Sequence, residues 1–203
     1  TIEHSAYYTV SSFSSWGLPG SLQMKPEIIA PGGNIYSLMN GGSYQNSSGT
    51  SMAAPQVSGM AALLAQHIDA KGLTEKTGLT RRALMQSLLM STAEPMLEAE
   101  NTYYPVLRQG AGLANIGSAS SAGSYLMRDA DATDSDKDGK IKAELGDDPA
   151  RTGTFSFGYT INNLSDTASE FSLSADFFTQ GVYTDDGVAY EDTMTVPVPS
   201  TVT

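Results

Sequence analysis

Two stretches of the chain carry apolar residues at the spacing of an amphipathic helix. The pattern predicts one helix over residues 51–68 and a second over residues 80–92. The apolar stripe of the first helix consists of five residues: Val57, Met60, Ala61, Leu63 and Leu64. Gly72 stands where the first helix is expected to end. Thr80 is the expected N-cap of the second helix, because its hydroxyl can accept a backbone N–H.

Strands are predicted where short apolar segments are bounded by turn residues. Residues 28–30 end in a Pro-Gly turn, and residues 35–39 form a second segment of this kind. Residues 40–48 are rich in Gly, Ser and Asn and are predicted to be a loop that leads to the first helix.

The pattern changes in the second half of the chain. From Gly153 onward, apolar residues alternate with polar ones, as in a strand with one buried face: Phe155, Phe157, Tyr159 and Ile161. We therefore predict two domains, one over residues 1–124 and an all-β sandwich domain, in part, over residues 125–203.

Composition excludes several classes of function. The chain has 203 residues and a formal net charge of −11, from 22 Asp and Glu against 11 Lys and Arg. This charge argues against nucleic acid or anionic lipid as a partner, since both need clustered basic residues. There is no cysteine, which excludes disulfides, thiolate metal sites and a cysteine nucleophile. No apolar run approaches the length of about 18 residues that a membrane span needs.

Ser51 is the strongest candidate for chemistry. It follows Ser48, Gly49 and Thr50 and is predicted to lie in the first turn of the first helix, where backbone N–H groups and the positive end of the helix dipole converge. Pro55 is placed near the helix start, where a missing N–H costs little. A serine nucleophile needs such a position, but a hydroxyl here could equally be an ordinary helix cap.

The longer sequence around Ser51 is more specific. Residues 49–59 read Gly-Thr-Ser-Met-Ala-Ala-Pro-Gln-Val-Ser-Gly and closely resemble the serine signature of the subtilisin-like (subtilase) peptidases. Two further segments resemble that family in the same order: residues 25–32, Lys-Pro-Glu-Ile-Ile-Ala-Pro-Gly, and residues 109–115, Gln-Gly-Ala-Gly-Leu-Ala-Asn. Glu27 stands where the family usually has Asp, and we interpret it as structural. The resemblance is greatest to Gram-positive cell-envelope subtilases, the lactocepin and C5a-peptidase group.

This resemblance implies a fold and a set of roles. Residues 1–124 would be the C-terminal portion of a subtilisin-like catalytic domain of the α/β class with a parallel sheet, and residues 125–203 part of an all-β, fibronectin-III-like sandwich. Ser51 would be the nucleophile. Thr50, Gly49 and Ser48 would contribute to oxyanion and substrate binding, together with the N–H of Ser51. Catalysis in this family needs no cofactor.

The catalytic base is not evident among these residues. His67 follows Ser51 by 16 residues, or about 24 Å along a helix, and is therefore too far away. His4 lacks the Gly-rich surroundings of the family's histidine motif. The family order of Asp, His and Ser implies that the Asp, the His and the oxyanion Asn lie upstream of Thr1. We therefore expect residues 1–203 alone to be inactive.

An acidic segment is a candidate metal site. Asp134, Asp136 and Asp138 occupy the first, third and fifth positions of a pattern that matches the start of an EF-hand calcium loop. The match fails at the last position, where Leu145 replaces the required Glu. The sequence leaves open a structural Ca²⁺ site or a solvated acidic linker.

The preferred interpretation is a serine endopeptidase that hydrolyses extracellular proteins and is secreted or associated with the bacterial cell wall. Its partners would be polypeptide substrates and the upstream part of its own catalytic domain. Two alternatives remain. One is a non-catalytic relative that binds partners at the cell surface, and the other is an adhesin-like module in which the serine only caps a helix.

Overall fold

The computed structural model of the chain describes residues 9–17, 23–99, 102–128, 141–143, 149–172, 175–185 and 188–198. The helices are α1 (Thr50–Ala70), α2 (Leu73–Thr77), α3 (Arg81–Ser91), α4 (Val106–Gln109) and α5 (Ile116–Ser121). The strands are β1 (Ile35–Leu38), β2 (Tyr44–Ser47), β3 (Leu97–Ala99), β4 (Thr102–Tyr103), β5 (Ser124–Arg128), β6 (Tyr159–Asn163), β7 (Ala175–Asp185) and β8 (Val188–Val198). None of the helices in these ranges has both the length and the apolar character of a membrane-spanning segment.

A core of buried apolar side chains holds α1 and α3 against β5. Leu64 and Ile68 of α1 and Leu84 of α3 are 0% exposed. Tyr125 of β5 is 3% exposed and belongs to the same cluster. The cluster also includes Leu73, Leu88, Leu89 and Ala119. The far end of α1 is therefore fixed by packing, while its first turn lies outside this cluster.

Both predicted helices are present. The first extends two residues beyond its predicted end, and the second begins after Thr80, whose hydroxyl accepts the N–H of Ala83 as expected of an N-cap. One residue of the predicted stripe is wrong, because Leu63 is 57% exposed. The buried residues of α1, Leu64 and Ile68, are four positions apart and lie on one face of the helix, so Leu63 points away from the core.

Strand pairing among the described residues is mainly antiparallel, so the predicted parallel sheet of the domain stays a prediction. The described residues form four two-stranded antiparallel sheets: β1–β2, β3–β4, β5–β6 and β7–β8. Parallel pairing within them is limited to one bridge, between Ile29 and Leu113. Pro31 lies two residues after Ile29 and has no N–H to continue a ladder. The α/β class stands, but the parallel sheet is not formed by these residues.

The predicted loop over residues 40–48 is partly a strand. Strand β2 pairs with β1 in an antiparallel hairpin, in which Leu38 lies opposite Tyr44. Gly41 and Gly42 at the tip have φ of 84° and 80°, a conformation that suits glycine. The sequence Tyr-Gln-Asn-Ser of β2 lacks the apolar alternation that would have revealed it.

The predicted domain boundary falls at the start of β5. Tyr125 packs in the core of the preceding helices, and the Leu126 N–H donates to Ser91 Oγ at 3.0 Å. Strand β5 pairs with β6, and the segment after β6 is tied back to α2 by an ion pair of 2.7 Å between Lys76 and Asp166. Residues 125–128 therefore pack with the first region, and a boundary at 124 stays a prediction.

The alternation predicted from Phe155 to Ile161 forms a strand only over its last part. Strand β6 begins at Tyr159, and residues 151–158 are irregular. Phe155 and Phe157 are about half exposed, at 47% and 52%. Further along the chain β7 pairs with β8 in an antiparallel hairpin, and the β-sandwich stays a prediction.

The packing of α1 gives a test with a matched control. We expect Leu64→Ala to lower the free energy of unfolding by about 3 kcal/mol, because it leaves a cavity in a fully buried site. The neighbouring Leu63→Ala should change it by less than about 0.5 kcal/mol. Denaturant unfolding of the complete gene product, followed by circular dichroism, measures both, and equal losses would contradict this assignment of the core.

Candidate active site

Ser51 is the second residue of α1 and is exposed to solvent. Gly49 precedes the helix with φ 156° and ψ 163°, a nearly extended conformation whose positive φ favours glycine. No side chain among the described residues caps the N-terminus of α1. The hydroxyl of Ser51 therefore lies at the positive end of a helix of 21 residues, beside backbone N–H groups that can stabilise negative charge.

The start of α1 is held against the chain segment that follows Ala30. We call this segment, Pro31, Gly32, Gly33 and Asn34, the 31–34 segment. Gly49 N–H donates to Gly32 O at 2.8 Å, and Gln56 Nε2 donates to Pro31 O at 2.7 Å. Backbone and side-chain contacts thus reach this segment from both sides of Ser51.

Gly32 is required by the closeness of this contact. A Cβ on Gly32 would lie 2.7 Å from Gly49 O and 3.3 Å from Ala53 Cβ. The first distance is shorter than real Cβ contacts allow, so any larger residue must push α1 away. By contrast, a Cβ on Gly33 would lie 3.7 Å from Ser11 Oγ, an ordinary contact.

Ser48 closes the base of the β1–β2 hairpin. Its Oγ accepts the N–H of Asn34 at 2.9 Å. This contact fixes the residue two positions before Thr50 relative to the 31–34 segment. The predicted roles of Ser48, Gly49 and Thr50 in oxyanion or substrate binding stay predictions, and the contact gives Ser48 a part in positioning.

Pro55 was predicted to lie near the helix start, where a missing N–H costs little, but it lies inside α1, in the second turn. In a regular helix its N–H would donate to the carbonyl of Ser51, four residues earlier. Proline has no N–H, so that bond is lost next to the candidate nucleophile. The helix around Ser51 is held more weakly by its own hydrogen bonds than a regular helix would be.

A cavity of about 640 Å³ lies along the flank of α1. Its walls include Thr50, Ala53, Ala54 and Val57 of the helix, and Ile28 and Gly32 from the segment before the hairpin. Ser51 does not line it, so the cavity lies beside the helix and not over the serine hydroxyl. Its mainly apolar walls suit packing by further polypeptide.

The hairpin that leads to Ser51 exposes three large side chains. Tyr36, Leu38 and Tyr44 are 69%, 59% and 59% exposed. The two tyrosine rings stack with their centroids 5.6 Å apart. Exposed apolar surface of this kind is typical of sites that contact other molecules.

The described residues supply no base for Ser51. His67 is in the last turn of the same helix, about 24 Å away at the helical rise, as the sequence predicts. His4 lies outside the described residues. The proton acceptor that a serine nucleophile needs is therefore not among the side chains placed near Ser51 in the described ranges.

The predicted calcium ligands Asp134, Asp136 and Asp138 also lie outside the described residues. In the part of the chain that the structure describes, no group of three or more His, Cys, Asp or Glu side chains could hold a metal ion. Calcium binding by the acidic segment stays a prediction.

Glu27 has structural contacts, in agreement with its interpretation. Its carboxylate contacts Lys25 and lies 3.3 Å from Lys142 Nζ. Burial raises the pKa of Glu27, but the hydrogen bonds and charges of the two lysines outweigh it and lower the pKa below its usual value. The ionised carboxylate joins residues 141–143 to the segment before Ile28.

Residues 109–115, the third segment that resembles the family, also support the fold around the site. The side chain of Gln109 is 1% exposed; its Oε1 accepts the Met96 N–H and its Nε2 donates to Tyr104 O, both at 2.6 Å. Ala111 N–H donates to Glu27 O, and Ala114 N–H donates to Ile29 O, at 2.9 Å each. Residues 109–114 thus support the segment that leads to Gly32.

Comparison with known proteins decides the family. The profile of the Subtilase family (peptidase S8) matches residues 4–144, which is more than half of the chain. The chain belongs to the subtilase family. The match includes the serine signature, the 31–34 segment and residues 109–115.

The relatives confirm the subgroup to which the sequence showed a resemblance. The subtilase chain is 31% identical over 195 residues to a PI-type proteinase of Lactococcus lactis subsp. cremoris and to a PII-type proteinase of Lacticaseibacillus paracasei. It is 35% identical over 167 residues to a C5a peptidase of Streptococcus pyogenes. These alignments cover 90%, 90% and 82% of this chain, but only 10%, 10% and 13% of the relatives. The chain thus spans about a tenth of the length of the curated relatives it matches.

The contact at Gly32 gives a second test. We expect Gly32→Ala to displace the first turn of α1, because the new Cβ would meet the Gly49 carbonyl at 2.7 Å. Amide hydrogen exchange over residues 49–54 should become faster in the complete gene product. Gly33→Ala is the control, since its Cβ has room. Unchanged exchange in Gly32→Ala would show that the contact is not needed.

Proposed function

We propose that the complete gene product is a serine endopeptidase in which Ser51 is the nucleophile. The observation that carries the proposal is the position of Ser51: an exposed hydroxyl at the N-terminus of α1, within the serine signature of a chain that belongs to the subtilase family. The names of the relatives, proteinase and peptidase, agree with this activity.

The chemistry follows from the position of the hydroxyl. Ser51 Oγ attacks the carbonyl carbon of the scissile peptide bond while a histidine takes its proton. The oxygen of the tetrahedral intermediate gains negative charge, which the N–H of Ser51 and the helix dipole stabilise. The histidine then protonates the leaving amine, and an acyl-enzyme remains. Water attacks the acyl carbon, releases the second product and restores the serine.

The base is proposed to come from polypeptide beyond residues 1–203. Two facts support this. His67 is too far from Ser51 at the helical rise, and the relatives are about ten times as long as the part aligned here. In the family order, the histidine, its aspartate and the oxyanion asparagine would lie upstream of Thr1.

The proposed substrates are polypeptides outside the cell. The relatives are proteinases and peptidases of Gram-positive bacteria, which favours a secreted or cell-wall location. We further propose that the region after residue 124 belongs to a fibronectin-III-like β domain. The long β7–β8 hairpin supports a β-rich region, and Tyr125 of β5 belongs to the same buried cluster as Leu64 of α1 and Leu84 of α3.

A second candidate is a non-catalytic surface-binding protein with the same fold. The exposed side chains of Tyr36, Leu38 and Tyr44 favour it, since they offer an uncharged contact surface next to the serine loop. Such a protein would keep the fold but lack the Asp or His of the triad. Reaction of Ser51 with an active-site probe distinguishes the two.

The nucleophile is tested by Ser51→Ala in the complete gene product. We expect it to abolish labelling by a fluorophosphonate and to lower hydrolysis of fluorescein-labelled albumin by about 10⁶-fold, the effect of losing the nucleophile of a serine peptidase. Ser58→Ala is the control, because the Ser58 hydroxyl lies on the same helix and donates to the Ala54 carbonyl at 3.1 Å. Equal labelling of wild type and Ser51→Ala would exclude Ser51 as the nucleophile.

The origin of the base gives a separate test. A polypeptide of residues 1–203 alone should not react with a fluorophosphonate at Ser51, because an alcohol without a base is a poor nucleophile. The complete gene product, treated in parallel, should be labelled. Mass spectrometry locates the label, and labelling of Ser51 in the isolated 203 residues would contradict the proposal.

A further inference from the structure

We propose that Gln56 is a positioning residue for Ser51. Its side-chain amide holds the second turn of α1 against the 31–34 segment and thereby orients the nucleophile in the first turn. The inference rests on the proposed function, since it assigns to Gln56 a part in the reaction of Ser51. The amide does not itself contact the reacting atoms.

Gln56 and Gly49 bind neighbouring carbonyls of the 31–34 segment. Gln56 lies five residues after Ser51 on α1, is partly buried, and its Nε2 donates to Pro31 O at 2.7 Å. One residue further along, the Gly32 carbonyl accepts the N–H of Gly49, on the other side of Ser51. The two hydrogen bonds therefore bracket the serine between fixed points on one short piece of backbone.

The need for an outside contact follows from two weaknesses of the helix itself. Helix α1 begins without the side-chain cap that fixes α3, where Thr80 accepts the Ala83 N–H. Pro55 also removes the hydrogen bond that would restrain the Ser51 carbonyl. The Gly49–Gly32 hydrogen bond holds the residue before the first turn, and the Gln56 contact holds the residue after Pro55. Without the Gln56 contact, the turn between them is restrained at one end only.

A small shift of a nucleophile has a large effect on rate. Displacement by about 1 Å can lower the rate about 10²-fold without breaking the fold. One hydrogen bond on a partly buried surface contributes little to overall stability by comparison. Loss of the Gln56 contact should therefore affect the chemical step more than folding or substrate binding.

The test compares Gln56→Met with Gln66→Met in the complete gene product. Methionine has a similar length to glutamine but no N–H to donate, and Gln66 is an exposed residue on the same helix. Inactivation by a fluorophosphonate is measured at several concentrations, which separates the maximal rate of acylation from the affinity for the probe. We expect Gln56→Met to lower the maximal rate about tenfold with unchanged affinity and thermal midpoint, and Gln66→Met to behave as wild type.

Gln56→His is the rescue variant. The Nε2–H of histidine reaches nearly as far as the amide nitrogen of glutamine and can donate to the same carbonyl. We expect it to recover most of the acylation rate. A wild-type maximal rate in Gln56→Met, or failure of Gln56→His to recover it, would overturn the positioning role. If the wild-type protein is not labelled at all, the proposed function itself fails, which is a different result.

Discussion

The site depends on one close contact between backbones, that of Gly32 with Gly49. Gly49 N–H donates to Gly32 O at 2.8 Å, and a Cβ on Gly32 would meet Gly49 O at 2.7 Å. Only glycine allows the two backbones to approach so closely. The start of α1, and with it Ser51, is therefore located by main-chain atoms, which cannot change rotamer. Residues 109–114 support this arrangement through their hydrogen bonds to Glu27 and Ile29.

The two ends of α1 serve different purposes. Leu64 and Ile68 at the far end are fully buried against α3 and fix the direction of the helix axis. The first turn is exposed and carries the serine. Burial of this end restrains the helix as far as Pro55, where one backbone hydrogen bond is missing. The core therefore sets the direction of α1, and the contacts with the 31–34 segment hold the turn that carries Ser51.

Local patterns predicted much of this arrangement but not its long-range contacts. The helical spacing of Leu64 and the hydroxyl of Thr80 were sufficient to place α1 and α3, because both signals lie within a few residues. Strand β2 was missed because its side chains are polar and its pairing is set by the glycine tip. The role of Gln56 was missed because its partner, Pro31, lies 25 residues away. The parallel sheet stays a prediction for the whole domain, to which the described residues contribute one parallel bridge, between Ile29 and Leu113.

Among the described residues no side chain caps the N-terminus of α1, and this is consistent with the proposed chemistry. A capping hydroxyl or carboxylate at position 49 would occupy the N–H groups of the first turn, and those are the groups that an oxyanion needs. Glycine at this position leaves them available, but it also gives up the restraint that a cap provides. The restraint must then come from elsewhere, and the structure supplies it through the contacts of Gly49, Ser48 and Gln56 with the 31–34 segment. The contacts with the 31–34 segment thus orient the serine, while the N–H groups of the first turn stay available as oxyanion donors.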